Sequence, residues 1–217
     1  MVAEPLNAYT LPSNDNINDY AFSYELNGPY FMQKGKMIAF YGQMRFEMLS
    51  AFSVSAMVAK RFSSPLYVGE WVVATGQGKL ILGDKGRDIN AFALDNGNLT
   101  IRAVNLLGFE STLNLKQSII PGFLTLIGTG TFLASSNGPV MFAEPPIRVD
   151  PEALLGWSDC PSPSEHFDAG WMEGFIAAAS NFLGRNSGEE RQYDFTGAGT
   201  VLIQSSEIKI WQYAPPP

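Results

Sequence analysis

Three features of this 217-residue sequence predict an all-β fold, a duplicated sandwich or barrel-like body with one short amphipathic helix. The first is period-two alternation of β-branched and aromatic residues, broken at short intervals by Gly, Asn and Asp. The second is an internal repeat in which a strand reaches Gly-x-Gly and another apolar strand follows. The third is composition: 46% apolar and 12% aromatic residues supply a core, while 16% charged residues is low for a free surface.

Taken in order, Met1 to Asn16 is polar and contains Pro5, Pro12 and Asp15, so residues 1–16 are expected to form a loosely ordered arm. It lacks the basic stretch leading into an apolar one that marks a secretory signal. Residues 17–213 are expected to form a single domain of repeated β units, followed by a disordered Pro-rich tail at 214–217. Within the domain, Met37 to Met48, Glu70 to Leu82, Asn90 to Ala103, Gly122 to Ala134 and Tyr193 to Ile203 each read as strand, turn, strand.

The repeat is carried by Thr75-Gly76-Gln77-Gly78-Lys79-Leu80, by Ile127-Gly128-Thr129-Gly130-Thr131-Phe132, and by Thr196-Gly197-Ala198-Gly199-Thr200-Val201. Tyr41-Gly42-Gln43 is a weaker relative with one of the two glycines. A second motif, Leu107-Gly108-Phe109-Glu110, returns as Leu155-Gly156-Trp157-Ser158. Glycine inside a strand pattern usually marks a bulge, a bend or a close backbone approach. Gly76, Gly78, Gly128, Gly130, Gly197 and Gly199 are therefore assigned to turns or bulges that let the sheet curl, and no ligand is needed to explain them. A phosphate loop would open a helix and end in Gly-Lys-Ser/Thr, whereas each pair here leads into another β segment.

One segment departs from this pattern. Asp168 to Leu183 spaces Trp171, Phe175 and Phe182 along one helical face, with Asp168 as N-cap and Gly184 as stop. It contains no Lys or Arg, so packing within the protein or at a subunit interface suits it better than a lipid surface. Trp171, Phe175 and Phe182 are candidate interface residues.

Chemistry is sparse. His166 is the one histidine and Cys160 the one cysteine, which excludes an intrachain disulfide and a multi-cysteine zinc site. Ser158 to His166 holds a nominal nucleophile, base and carboxylate, but triads are assembled from distant segments. A proline-punctuated surface loop with Cys160 half-buried is the better account. The pairs Asp84/Asp88 and Glu189/Glu190 sit beside Lys85, Arg87 and Arg191 in turn-like sequence and are expected on the solvated surface, as are the basic pairs Lys34/Lys36 and Lys60/Arg61. No catalytic residue, metal ligand set or cofactor is expected. The formal charge of −7 and pI near 4.7 disfavour nucleic acid. No apolar run approaches the roughly 18 residues of a membrane span, and a cytoplasmic location is expected.

The stretches Gln33 to Ala39, Pro65 to Val68, Gly78 to Asp84, Gln117 to Leu124 and Gly197 to Ser205 resemble the altered inheritance of mitochondria protein twenty-four family. Pro145-Pro146 and Asp159-Cys160-Pro161 make the actinobacterial branch the most similar. The resemblance implies a β sandwich of the kind seen in the tryptophan RNA-binding attenuation protein, built by tandem duplication and prone to oligomerise. It implies no catalytic residue. The expectation is a non-catalytic, self-associating β scaffold, a homo-oligomer with room for a further protein partner. The alternative is a small-ligand or nucleic-acid-binding module using Gly-lined clefts.

Overall fold

The computed structural model describes residues 6–49, 70–167 and 191–206. All of its longer elements are strands, and they form three units. The first unit contains β2 (Ala21–Leu26), β3 (Tyr30–Gln33), β4 (Met37–Met48) and β5 (Trp71–Gly83), with β1 (Asp15–Asn18) added beside β2. The second contains β6 (Asp88–Arg102), β7 (Leu106–Glu110), β8 (Asn114–Gln117) and β9 (Phe123–Ser136). The third contains β10 (Val140–Ala143), β11 (Ile147–Val149), β12 (Leu154–Ser158), β13 (Ser164–Phe167), β14 (Arg191–Phe195) and β15 (Thr200–Gln204).

Each unit is organised about its glycine-bearing strand, β5, β9 or the β14–β15 pair. That strand is flanked on one side by β2 then β3, by β6, or by β10 then β11. On the other side lie β4, β7 with β8, or β12 with β13. All of these pairings are antiparallel. The units are joined by β3 against β7 and by β6 against β12, which makes one sheet of 12 strands, with β11, β14 and β13 forming a separate sheet of 3.

Burial follows the same plan. In β5 the ends, Trp71 to Ala74 and Leu80 to Gly83, are largely buried while Thr75 to Lys79 surface; β9 repeats the pattern around Ile127 to Thr131. A strand buried at both ends and exposed at its middle has to curl. The largest core gathers Phe31, Trp71, Phe109, Phe132, Leu155 and Leu202 from all three units. Each such side chain stabilises the fold by roughly 1.5–3 kcal/mol through burial.

Three expectations are corrected here. The stretches 37–48, 71–83, 88–102 and 123–136 are single strands and not strand, turn, strand; only the region around Gly197 and Gly199 turns. Glycine marks a bend in both settings, and a partner strand that bends alongside keeps the ladder intact. Within the arm Leu6 and Tyr9 are exposed, but Leu11 is buried, and Asp15 and Asn16 pair with Ser23 and Phe22. The loop after Ser158 ends at Pro163, and Ser164 to Phe167 is a strand. The helix expected at 168–183, with Trp171, Phe175 and Phe182, lies outside the described residues, as do Lys60, Arg61, Glu189 and Glu190.

Candidate interaction site

The glycines define the first feature. Gly42 pairs with Gly78 and Met44 with Gly76, midway along β4 and β5. Gly78 has φ +143°, and a Cβ there would overlap the Tyr41 carbonyl oxygen. Only glycine lets the two backbones pass this closely. Gly76 likewise faces the Gln43 carbonyl. In the second unit Gly128 pairs with Gly97, while Gly130 pairs with Leu94 beneath the Thr112 and Glu110 side chains. In the third, Gly197 sits against Pro161, and a Cβ on Gly199 would come within 2.6 Å of the Ser158 carbonyl oxygen. Gly76, Gly78, Gly128, Gly130, Gly197 and Gly199 all have positive φ.

Beside this bend lies an open cleft of about 580 Å³ lined by Phe40, Gly42, Met44, Arg45 and Gly76 among others. Its rim runs along β4, whose edge away from β5 has no strand partner among the described residues. Ile38, Phe40 and Met48 are 63%, 44% and 67% exposed on this strand. Phe40 packs edge-on against Phe46 at 5.1 Å. On β10, Met141 and Phe142 are also exposed, and Phe142 contacts Phe92 of β6.

Of the polar residues that the sequence placed on the surface, Lys34 and Lys85 are exposed, whereas Asp84, Lys36 and Arg87 are turned inward. Asp84 is buried, its carboxylate 2.6 Å from Lys36 Nζ and 3.5 Å from Arg87 Nη1, and it accepts a 2.6 Å hydrogen bond from Ser135 Oγ. Lys36 Nζ also donates to the Val104 carbonyl, and Asn105 Nδ2 donates to the Ser135 carbonyl. Burial pushes the Lys36 pKa down, against the opposing pull of Asp84. The expectation of a solvated Asp84, Lys36 and Arg87 is thus overturned. The turn carrying Asp84 and Arg87 is covered by Lys36 of the β3–β4 turn and by Ser135 near the end of β9, which no local pattern reveals.

Two further polar contacts bind units together. Arg102 Nε donates to the Leu154 carbonyl at 3.1 Å, Arg102 Nη2 reaches the Pro151 carbonyl, and the guanidinium lies 5.0 Å from the Phe123 ring centre. Tyr24 OH donates to Glu110 Oε1 at 3.3 Å, while Thr131 N donates to Glu110 Oε2. Burial, with Glu110 nearby, drives the Tyr24 pKa far upward, and Tyr30, whose ring lies tilted with its centre 4.1 Å away and whose hydroxyl is buried, moves the same way. Tyr24 and Glu110 border a cleft of about 380 Å³ that also includes Asn14, Glu25 and Asn27.

Cys160 is half-buried, with Sγ 3.8 Å from the Thr200 carbonyl oxygen, and burial raises its pKa. A nucleophilic cysteine needs the opposite shift. His166 lies on β13, opposite Gln192 of β14. Among the described residues no cluster of His, Cys, Asp and Glu suits a metal ion, and no helix is long and apolar enough to cross a membrane.

Comparison with known proteins places this architecture. The family model described as Mitochondrial biogenesis AIM24 matches residues 21–206. The chain belongs to the AIM24 family. Among curated proteins none matches it. Among solved structures, a Streptococcus pyogenes protein determined by X-ray crystallography superposes with a TM-score of 0.62 at 19% identity, over 91% of this chain and 94% of that one. This likeness establishes the all-β fold. The analogy to an RNA-binding attenuation protein rests on the resemblance in sequence alone.

Proposed function

We propose that this AIM24-family chain is a non-catalytic, self-associating β scaffold of the cytosol. The observation that carries this reading is the set of large apolar side chains on strands whose outer edges have no strand partner among the described residues: Ile38, Phe40 and Met48 on β4, and Met141 and Phe142 on β10. Exposed edges offer unpaired backbone N–H and C=O groups, and natural proteins usually blunt them with charge or proline. From Met37 to Met44, β4 carries neither. Exposed apolar residues in such a setting mark surfaces that another protein covers.

The non-catalytic part is supported by what the polar groups do. Asp84, Lys36, Arg87 and Arg102 hold units together, Glu110 ties Tyr24 to β9, and the Cys160 thiol is shifted away from reactivity. A single cysteine suits a reducing compartment. The family's name points to mitochondrial biogenesis, and an assembling body without a reaction of its own fits such a part.

Static light scattering across a wide concentration series tests the reading. The expected result is a mass above that of the monomer, reduced by Ile38→Lys. Monomer mass at every concentration overturns it.

A further inference from the structure

The three units put equivalent residues in equivalent registers. Downstream of each glycine pair, Ile81, Leu133 and Leu202 face Ala39, Gly108 and Gly156, each just after a bulge between Met37 and Ala39, Leu106 and Gly108, or Leu154 and Gly156. Upstream of the glycines, Val72, Leu124 and Tyr193 face Met32, Ile101 and Val149. Ala39, Gly108 and Gly156 are therefore counterparts, and so are Met32, Ile101 and Val149.

The junctions between units use these two sets in one way. Met32 of the first unit pairs with Gly108 of the second, and Ile101 of the second pairs with Gly156 of the third. By the same rule Val149 of the third unit needs a partner like Ala39 of the first. Within the chain that junction is not made among the described residues, where β11 pairs with β14 and β4 with β5.

Burial marks both unmade halves. Leu107 and Leu155 are 0% exposed and their counterpart Ile38 is 63% exposed; Phe109 and Trp157 are 0% and 3%, and their counterpart Phe40 is 44%. On the other side Phe31 and Thr100 are buried, whereas the side chain of their counterpart Arg148 is 54% exposed. Among the described residues each chain thus carries one unpaired edge of each kind.

We infer that the missing third junction forms between copies, β11 of one chain pairing antiparallel with the start of β4 of the next, Val149 opposite Ala39 and Arg148 opposite Phe40. This deepens, and rests on, the self-association reading above. Strand addition at the edge supplies backbone hydrogen bonds, and Arg148 meets the Phe40 ring, a favourable cation–aromatic pairing. Because the two edges differ, the contact is head-to-tail and closes into a ring or runs on as a filament.

The experiment mixes two full-length variants, Phe40→Cys and Arg148→Cys, each also carrying Cys160→Ser, and adds a short bis-maleimide. The expected result is a covalent dimer in the mixture, absent from either variant alone and lost when Ile38→Lys is added to the Phe40→Cys chain. A mass above monomer by light scattering with no cross-link in the mixture overturns the head-to-tail junction and leaves self-association standing. Monomer mass throughout overturns both. A Phe40→Cys/Arg148→Cys chain that cross-links within itself at high dilution also overturns the inference, by placing the junction inside one chain.

Discussion

Around Gly76 and Gly78 the strand bends and continues, whereas around Gly197 and Gly199 it stops and its two halves join different sheets. The glycines are alike, and the difference lies opposite them. β4 places Gly42 against Gly78, so two backbones without Cβ bend together and the ladder runs unbroken from Ala39 to Met48. Opposite the third pair lie Cys160 and Pro161, with Pro163 beyond. Proline donates no ladder hydrogen bond, so pairing resumes only at Ser164. A glycine pair sets where a strand bends, and the partner decides whether it survives the bend.

The first region is anchored at its end by a buried ion pair, and removing that anchor has the largest expected effect on it. Asp84→Ala removes the buried carboxylate that faces Lys36 and Arg87 and is expected to lower stability by about 3–5 kcal/mol, read as a shift in the urea midpoint. Next comes the bend itself: Gly78→Val sets a branched side chain on the Tyr41 carbonyl at positive φ and is expected to lose about 3 kcal/mol. Gly197→Ala sharpens the contrast. It meets only the Pro161 ring, at 3.3 Å, with φ +88°, and should lose about 1 kcal/mol. Equal losses at the two sites would show that the bend in the third unit is as constrained as in the first.

The smallest effect is in the pH profile of the first region. Tyr24 and Tyr30 keep their protons in the folded chain above the ordinary tyrosine pKa near 10, where the unfolded chain loses them. The unfolded state then binds fewer protons, so stability falls as pH rises past about 10. Lys36 acts in the opposite sense, because between its lowered pKa and 10.5 the unfolded chain holds a proton the folded chain lacks. Tyr30→Phe should therefore flatten the alkaline limb relative to the parent while changing neutral stability little, as followed by urea midpoints through the alkaline range. An unchanged limb would remove Tyr30 as its source.

This comparison also explains what the sequence reveals. The β class and the repeat were legible because alternation and spaced glycines are local patterns, and the match of Leu107-Gly108-Phe109 to Leu155-Gly156-Trp157 reappears as equivalent strands. Whether a glycine turns or bends was not legible, since that depends on Gly42 or Pro161 across the ladder. Burial of Asp84 was hidden for the same reason: Gly83-Asp84-Lys85-Gly86 reads as a surface turn until Lys36 and Ser135 arrive from distant strands. The exposed edge at Ile38 and Phe40 had a usable signal, for Met37-Ile38-Ala39-Phe40 follows the same order of two large aliphatic residues, a small one and Phe as Leu106-Leu107-Gly108-Phe109, but only the register shows which copy lacks a neighbour among the described residues.

In the second unit β8 ends at Gln117 and β9 begins at Phe123, whereas in the first β4 ends at Met48 and β5 begins at Trp71, and in the third β13 ends at Phe167 and β14 begins at Arg191. The same joint thus admits chain lengths that differ severalfold while the strands on either side keep their register. An engineer seeking a place to splice in an epitope or a fluorescent tag has that joint marked out by the molecule's own duplication.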